Sequence, residues 1–156
     1  MRLPLSYYPD PVLRKKCTSI EEINQEILDL AENLVETMIA ENGIGLAAPQ
    51  VNSSHRIFVM NVPKQNEKKE LIPGTLRVFI NPEILEVSEE LMAYSDGCLS
   101  IPGIRGLVER PMKIKIKAKN LKGEVFVDHY QGLIKMCPNH GQAPWLILQT
   151  FYKGLT

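Results

Sequence analysis

The sequence predicts an α+β fold, and three observations support this prediction. A long amphipathic segment follows an irregular N-terminal arm, and several short runs rich in branched and aromatic residues come after it. A last apolar segment starts at Leu133. The chain of 156 residues is long enough to bury one core, and it contains no repeat or low-complexity linker. We therefore expect a single domain over residues 1–156.

The long helix is predicted from the spacing of its apolar residues. Between Ile20 and Met38 these residues recur at intervals of three and four, the period of a helix with one buried face. Ser19 stands three residues before Glu22, as in a capping box, and Asn42–Gly43 tolerate the positive φ of a helix end. The spacing predicts a helix over 20–41. The prolines of residues 1–18 predict an irregular arm strapped to the domain.

Mostly antiparallel strands are predicted after the helix. Three runs have strand composition: "RIFVMNV" (56–62), "RVFINP" (77–82) and "EILEVSEELMAYS" (83–95). The stretches "MKIKIKAK" and "GEVFVDHY" flank "NLKG", which indicates a hairpin. The lysines of 113–122 alternate with apolar residues, which favours a half-buried strand over a basic binding stripe. The charged segment 63–76 is predicted to be an exposed loop.

Composition narrows the classes of partner. The 18 basic and 18 acidic residues balance, which argues against nucleic acid or an anionic membrane as a partner. The sequence shows no run of 18 apolar residues and no secretory signal pattern. Three cysteines are few and odd for a disulfide scaffold, so Cys17, Cys98 and Cys137 are interpreted as thiols in a reducing compartment. We expect a cytoplasmic protein.

Two stretches carry candidate chemistry. In "NGIGLAAPQ" (42–50), the glycines let the backbone approach a ligand, and Gln50 offers an amide donor and acceptor. A plain helix end with small residues is the alternative. In "SDGCLSIPG" (95–103), Cys98 follows a strand in a tight turn. As a thiolate it would suit Zn or Fe, whereas a buried apolar role is the alternative.

Together, these stretches resemble the first two signature motifs of the peptide deformylases. Members of that family use a metal-activated water to remove the formyl group from the N-terminal formylmethionine of new proteins. The resemblance runs from "YYPDPVLRKKC" to "QGLIKMC" and covers about residues 1–140. It implies a peptide-deformylase-like fold, with strands around a C-terminal helical segment and one long N-terminal helix.

The resemblance also implies roles for individual residues. Cys98 would be a metal ligand, while the Gln50 amide and the backbone N–H of Leu99 would polarise the formyl carbonyl as a two-donor oxyanion site. Asp96 would pair with Arg110 to support the cysteine turn, in a position where the family usually has glutamate. The peptide-binding residues implied by the first motif are Gly43, Ile44 and Gly45.

The third motif departs from the family. The final helix of a peptide deformylase carries His-Glu-x-x-His, and aligning "GLIKMCPNH" places His140 on its first histidine. Gly141 then stands in place of the general base, and Pro144 in place of the second histidine ligand. Cys98 and His140 would be two ligands where a catalytic zinc site has three and a water. A divalent metal, Fe or Zn by the resemblance, would bind weakly or not at all. A Cys₂His set that includes Cys137 is the alternative.

Three functions stay open from the sequence: an active deformylase, a non-catalytic relative that binds formyl-peptide or another partner, and the product of a damaged gene. The preferred interpretation is a peptide-deformylase-like protein that is inactive or severely impaired, because losing a positioned base lowers a rate by about 10²–10⁴-fold. Its expected partners are formylated N-terminal peptides, with proximity to the ribosome and without nucleic acid or membrane. His55 and His129 are interpreted as surface or loop residues, and Trp145 as a core or interface residue.

Overall fold

The computed structural model describes residues 1–61, 64–72 and 74–131, with the backbone alone at 64–65, 71, 94–98, 104–108, 110 and 131. One long α-helix, α1, spans Gln25–Ala40, and 3₁₀ turns span Pro11–Arg14 and Ala48–Val51. The strands are β1 Gly45–Ala47, β2 Ile57–Met60, β3 Lys64–Gln65, β4 Leu71–Ile72, β5 Arg77–Val87, β6 Leu91–Cys98, β7 Ile101–Pro111, β8 Lys113–Lys119 and β9 Val125–Gln131.

All pairings between these strands are antiparallel. Five strands form one sheet in the order β1-β2-β5-β8-β9, while β3 pairs with β4 and β6 pairs with β7 in separate two-stranded sheets. The α+β prediction with one long N-terminal helix and mostly antiparallel strands is therefore confirmed. The predicted C-terminal helical segment lies outside the described residues.

Strand β2 of the five-stranded sheet is buried on both faces. On one face, Ile57 and Val59 of β2 pack with Leu34 of α1. On the other face, Phe58 stacks on Phe79 of β5, with ring centroids 4.4 Å apart and planes at 7°. Because successive side chains of a strand point to opposite faces, the continuous apolar run of β2 is what a doubly covered central strand requires.

The predicted start of the helix at residue 20 is wrong, because α1 begins at Gln25. Asn24 is the N-cap, and its side chain accepts a hydrogen bond from the N–H of Ile27 at 3.2 Å. Asn81 holds Ile20 outside the helix. Its Oδ1 accepts the N–H of Ile20 at 2.8 Å, and its Nδ2 donates to the Ile20 carbonyl at 2.7 Å. The capping-box spacing at Ser19 is therefore not used.

The strand predicted to stop at Pro82 continues to Val87. The pairing of β5 with β8 shifts register between Ile80 and Glu83, and Asn81 has φ of 50°. A bulge lets a proline lie within a strand because its missing N–H is not needed for the ladder. The boundary predicted between 77–82 and 83–95 is thus wrong, and the second strand of that region is β6.

The hairpin around "NLKG" is confirmed by the pairing of β8 with β9. Along β8, Ile114, Ile116 and Ala118 are buried, while the alternate lysines are exposed or partly exposed, so the solvated-strand interpretation is confirmed. The segment 63–76 was predicted to be an exposed loop, but it includes the short pair β3 and β4. In the part of the chain that the structure describes, no helix is long and apolar enough to cross a bilayer.

Candidate active site

The first motif starts at the C-terminus of α1. Asn42 has φ of 54°, its N–H donates to the carbonyl of Ile39 at 3.1 Å, and the N–H of Gly43 donates to the carbonyl of Met38 at 2.9 Å. These two bonds are those of a Schellman motif, which ends a helix and turns the chain sharply. The predicted role of Asn42–Gly43 at the helix end is confirmed. The turn directs the chain into β1.

Strand β1 leads to Gln50 through the 3₁₀ turn at Ala48–Val51. The side chain of Gln50 is 1% exposed, and its Oε1 accepts the N–H of Ala47 at 3.0 Å. A flipped amide would set its NH₂ group against that N–H, so the contact with Ala47 fixes which end of the amide is the donor. Nε2 lies 3.5 Å from the Oγ of Ser100. Gln50 is thus held with its donor end towards the second motif.

The second motif lies at the tip of the β6–β7 hairpin. Leu99 and Ser100 form the turn between Cys98 and Ile101, which are paired. Leu99 packs against the core cluster that includes α1, and a methyl group added at Gly43 would lie 3.1 Å from its Cδ1. The structure therefore brings Gly43 and Gln50 of the first motif together with the turn of the second.

The N-terminal arm contacts both motifs. The N–H of Ser6 donates to the carbonyl of Gln50 at 2.7 Å, and the N–H of Tyr8 donates to the carbonyl of Ser100 at 2.9 Å. These bonds confirm the predicted strapped arm. Sequence reasoning missed the contacts of Gln50 with Ser6 and Ser100 and that of Tyr8 with Ser100, because they join residues 44 to 92 positions apart and no local pattern signals them.

The other predicted site residues are described less fully. Asp96 lies opposite Gly106 in the ladder of β6 and β7, and Arg110 lies opposite Met92, four positions along. Only the backbone is described at Asp96, Cys98 and Arg110, so the pairing of Asp96 with Arg110 stays a prediction. Both Ile44 and Gly45 are buried, and Gly43 is partly exposed. His140, Gly141 and Pro144 lie outside the described residues, as do Cys137 and Trp145.

The region over which the chain is similar to known proteins includes both motifs. The family model described as "Polypeptide deformylase" matches residues 2–141. The chain belongs to the peptide deformylase family. A peptide deformylase of Acinetobacter baumannii is 40% identical over 138 residues, which are 88% of this chain and 74% of that protein. One of Agrobacterium fabrum is 41% identical over 137 residues, which are 88% of this chain and 78% of that protein.

Solved structures of deformylases share the fold. The class I type b peptide deformylase of A. baumannii, in a crystal structure with Met-Ala-Ser bound, has a TM-score of 0.80 at 28% identity. That alignment covers 98% of this chain and 94% of the other. The peptide deformylase of Thermotoga maritima has a TM-score of 0.75 at 31% identity, with coverages of 99% and 92%.

A metal centre is not assembled by the described side chains alone. Among them, no three His, Cys, Asp or Glu residues stand together as a metal-binding group. The two ligands that the family resemblance implies, Cys98 and His140, are not among the described side chains. His55 is partly exposed, with its Nδ1 3.0 Å from the Oγ of Ser53, and His129 is exposed on β9. These positions agree with the surface interpretation of both histidines.

Cys17 is a free, buried thiol at 5% exposure. Burial raises the pKa of this thiol, and the nearby charge of Arg56 partly opposes that effect. A raised pKa keeps the group protonated near neutral pH, and a thiol is a poor nucleophile and metal ligand compared with a thiolate. Cys17 is therefore a core residue.

Proposed function

We propose that this protein keeps the carbonyl-binding half of a peptide deformylase and lacks part of the hydrolytic half. It binds formylated N-terminal peptides and hydrolyses them slowly or not at all. The observation that supports the binding half best is the side chain of Gln50. Its amide is buried, is fixed by the N–H of Ala47 and directs its donor towards the turn that holds Leu99.

In the proposed site, two hydrogen-bond donors polarise the formyl carbonyl. The Nε2 of Gln50 and the backbone N–H of Leu99 belong to different motifs, and we expect one oxygen to accept from both. The contact of Gln50 with Ser100, the residue after Leu99, supports this expectation. The A. baumannii relative was crystallised with Met-Ala-Ser, a peptide that begins with methionine. That ligand supports a methionyl peptide as the class that this chain binds, with Gly43, Ile44 and Gly45 beside it.

The hydrolytic half is limited by the sequence after residue 137. The family match ends at residue 141. By the resemblance of the approach to the third motif, Gly141 would stand in place of the general base and Pro144 in place of a histidine ligand. A divalent metal, Fe or Zn by family resemblance, supplies Lewis-acid activation of the attacking water in such sites. Cys98 and His140 give it two protein ligands, and glycine has no group to accept the proton. Weak metal binding and slow turnover follow.

The test combines turnover with binding. With added Fe²⁺, Ni²⁺ or Co²⁺, we expect deformylation of formyl-Met-Ala-Ser about 10²–10⁴-fold slower than by an intact family member. Calorimetry should still show tighter binding of formyl-Met-Ala-Ser than of Met-Ala-Ser. Gln50→Ala should reduce that preference by about 2- to 10-fold, the value of one hydrogen bond. Gln25→Ala is the matched control, because Gln25 bonds only to exposed Asp29 among its described partners.

Two outcomes would contradict the proposal. Turnover equal to that of an intact deformylase, abolished by Cys98→Ala, would show an active enzyme. Equal affinity for formylated and unformylated peptide would remove the binding function and favour the damaged-gene interpretation.

A repair variant tests the hydrolytic half separately. Replacing residues 138–144 with a helix-forming segment that contains His-Glu-x-x-His restores ligand, base and backbone together. We expect metal content per chain to rise first and slow deformylation to appear second. If the wild-type protein already holds one tight metal and Cys137→Ala releases it, the Cys₂His alternative is correct. A repaired protein that folds and holds metal but shows no turnover would indicate that Gln50 and Leu99 are not positioned as proposed.

A further inference from the structure

The two donors of the proposed carbonyl site lie on separate sheets. Gln50 follows β1 of the five-stranded sheet, and Leu99 lies at the tip of the two-stranded β6–β7 sheet. An oxyanion site works only if its donors are held close to the productive geometry before the carbonyl arrives. A connection between the sheets at this point is therefore required.

Ser100 makes that connection. It follows Leu99 directly, it is 3% exposed, and its Oγ lies 3.5 Å from the Nε2 of Gln50. The arm ties the same two residues through their backbones, because Ser6 donates to the carbonyl of Gln50 and Tyr8 donates to the carbonyl of Ser100. Residues 50 and 100 are thus joined by a side-chain contact and by the backbone amides of two arm residues that are two positions apart.

The contact between Ser100 and Gln50 restrains a side-chain torsion of Gln50 that rotates easily. The last side-chain torsion of glutamine has a broad energy profile, so each bond to the amide narrows the motion of its plane. The acceptor beside Nε2 adds to the bond at Oε1, and buried N–H groups are stabilised by such acceptors. At 3.5 Å the bond is long, so its contribution belongs at the weak end of neutral hydrogen bonds.

We propose that Ser100 is a positioning residue, whose hydroxyl aligns the Gln50 amide with the N–H of Leu99 for binding a formyl carbonyl. This inference rests on the proposed function. Ser100 need not touch the peptide. Its hydroxyl acts through Gln50, and its carbonyl keeps the turn attached to the arm.

The test compares Ser100→Ala with Ser100→Thr and with Ser53→Ala. The last variant removes a hydroxyl that contacts His55 instead of Gln50. The measured quantity is the ratio of dissociation constants for Met-Ala-Ser and formyl-Met-Ala-Ser. Ser100→Ala should lower this ratio by about 2- to 10-fold, as expected for one neutral hydrogen bond. Ser100→Thr should restore it, and Ser53→Ala should leave it unchanged.

A second measurement follows the Gln50 side-chain amide directly by ¹⁵N-resolved NMR. In Ser100→Ala its two protons should shift and exchange faster with water, whereas in Ser53→Ala they should not. Unchanged Gln50 signals in a folded Ser100→Ala protein would overturn the proposal, as would an unchanged ratio of dissociation constants. If the wild-type protein does not prefer formylated peptide, the proposed function fails, and the Gln50 signals still decide whether Ser100 positions the amide.

Discussion

Substituting Gly43 with alanine places one methyl group between the two motifs. The new Cβ would lie 3.1 Å from the Cδ1 of Leu99 and 3.5 Å from the carbonyl oxygens of Met38 and Gly45. Carbon atoms pack best at about 3.5–4.0 Å, so the Leu99 methyl must retreat by about 0.4–0.9 Å. The clash is with the end of a flexible side chain, so the turn can yield without unfolding.

The expected change in stability is small. A Gly→Ala substitution at compatible dihedrals stabilises by about 0.4–1 kcal/mol through the unfolded chain, whereas overpacking costs about 1–3 kcal/mol. We therefore expect Gly43→Ala to lower the free energy of unfolding by about 0–2 kcal/mol. The displaced Leu99 carries the second proposed donor on its backbone. The preference for formylated peptide should accordingly fall by about 2- to 10-fold.

Gly123→Ala is the control, because it should change stability without changing the preference for formylated peptide. Gly123 has φ of 79° in the β8–β9 turn, where an added Cβ would meet the Cδ1 of Ile23 at an ordinary 3.9 Å. Left-handed backbone costs alanine about 1–2 kcal/mol, so this variant should lose stability and keep its peptide preference. Urea unfolding and calorimetry measure the two quantities. If both variants alter the peptide preference equally, contact between Gly43 and Leu99 does not set the geometry of the site.

Two further predictions concern stability. Asn81→Ala should lower the free energy of unfolding, measured in urea, by about 2–4 kcal/mol, because it removes two hydrogen bonds to Ile20 and places alanine at positive φ. Asn81→Gly should lose about 1 kcal/mol less, because glycine adopts positive φ without strain. Equal losses in the two variants would exclude a contribution from backbone strain at this position. For Cys17, the raised pKa of the folded thiol means that the unfolded chain ionises first. The contribution of Cys17 to stability should be constant below about pH 8.5 and fall above it, and Cys17→Ala should remove this fall.

Local sequence patterns correctly predicted the structural features that depend on residues adjacent in the chain. The apolar spacing of α1, the alternation along β8 and the turn at Asn42–Gly43 each depend on a few adjacent positions. The start of α1 was missed because the side chain of Asn81, 61 positions away from Ile20, holds that residue extended. The prediction ended strand β5 too early, at residue 82, because the bulge at Asn81–Pro82 depends on the partner strand β8. Tertiary contacts of this kind leave no periodic signal.

The same distinction applies to the site. The roles of Gln50 and Leu99 were implied by the resemblance of two short motifs to those of the peptide deformylases. Ser100 gave no signal of its own, because its proximity to Gln50 depends on how two sheets meet and on where the arm runs. A serine within a motif cannot be assigned this role from the sequence until the residue that it contacts is known.

In the proposed function, binding depends on Gln50 and Leu99, whereas hydrolysis also needs the residues at 141 and 144. The contacts described above for Gln50 join it to Ser6, Ala47 and Ser100, whereas the resemblance to the family implies that the general base and second histidine would fall at 141 and 144. We therefore expect a change confined to 138–144 to remove turnover and leave the proposed carbonyl-binding pair in place. The converse also holds: substitutions at Gln50 or Ser100 should weaken peptide preference in the repaired protein without lowering its metal content. If metal content and peptide preference instead fall together in those variants, the two halves are coupled through the fold, and binding without turnover is not a stable state of this protein.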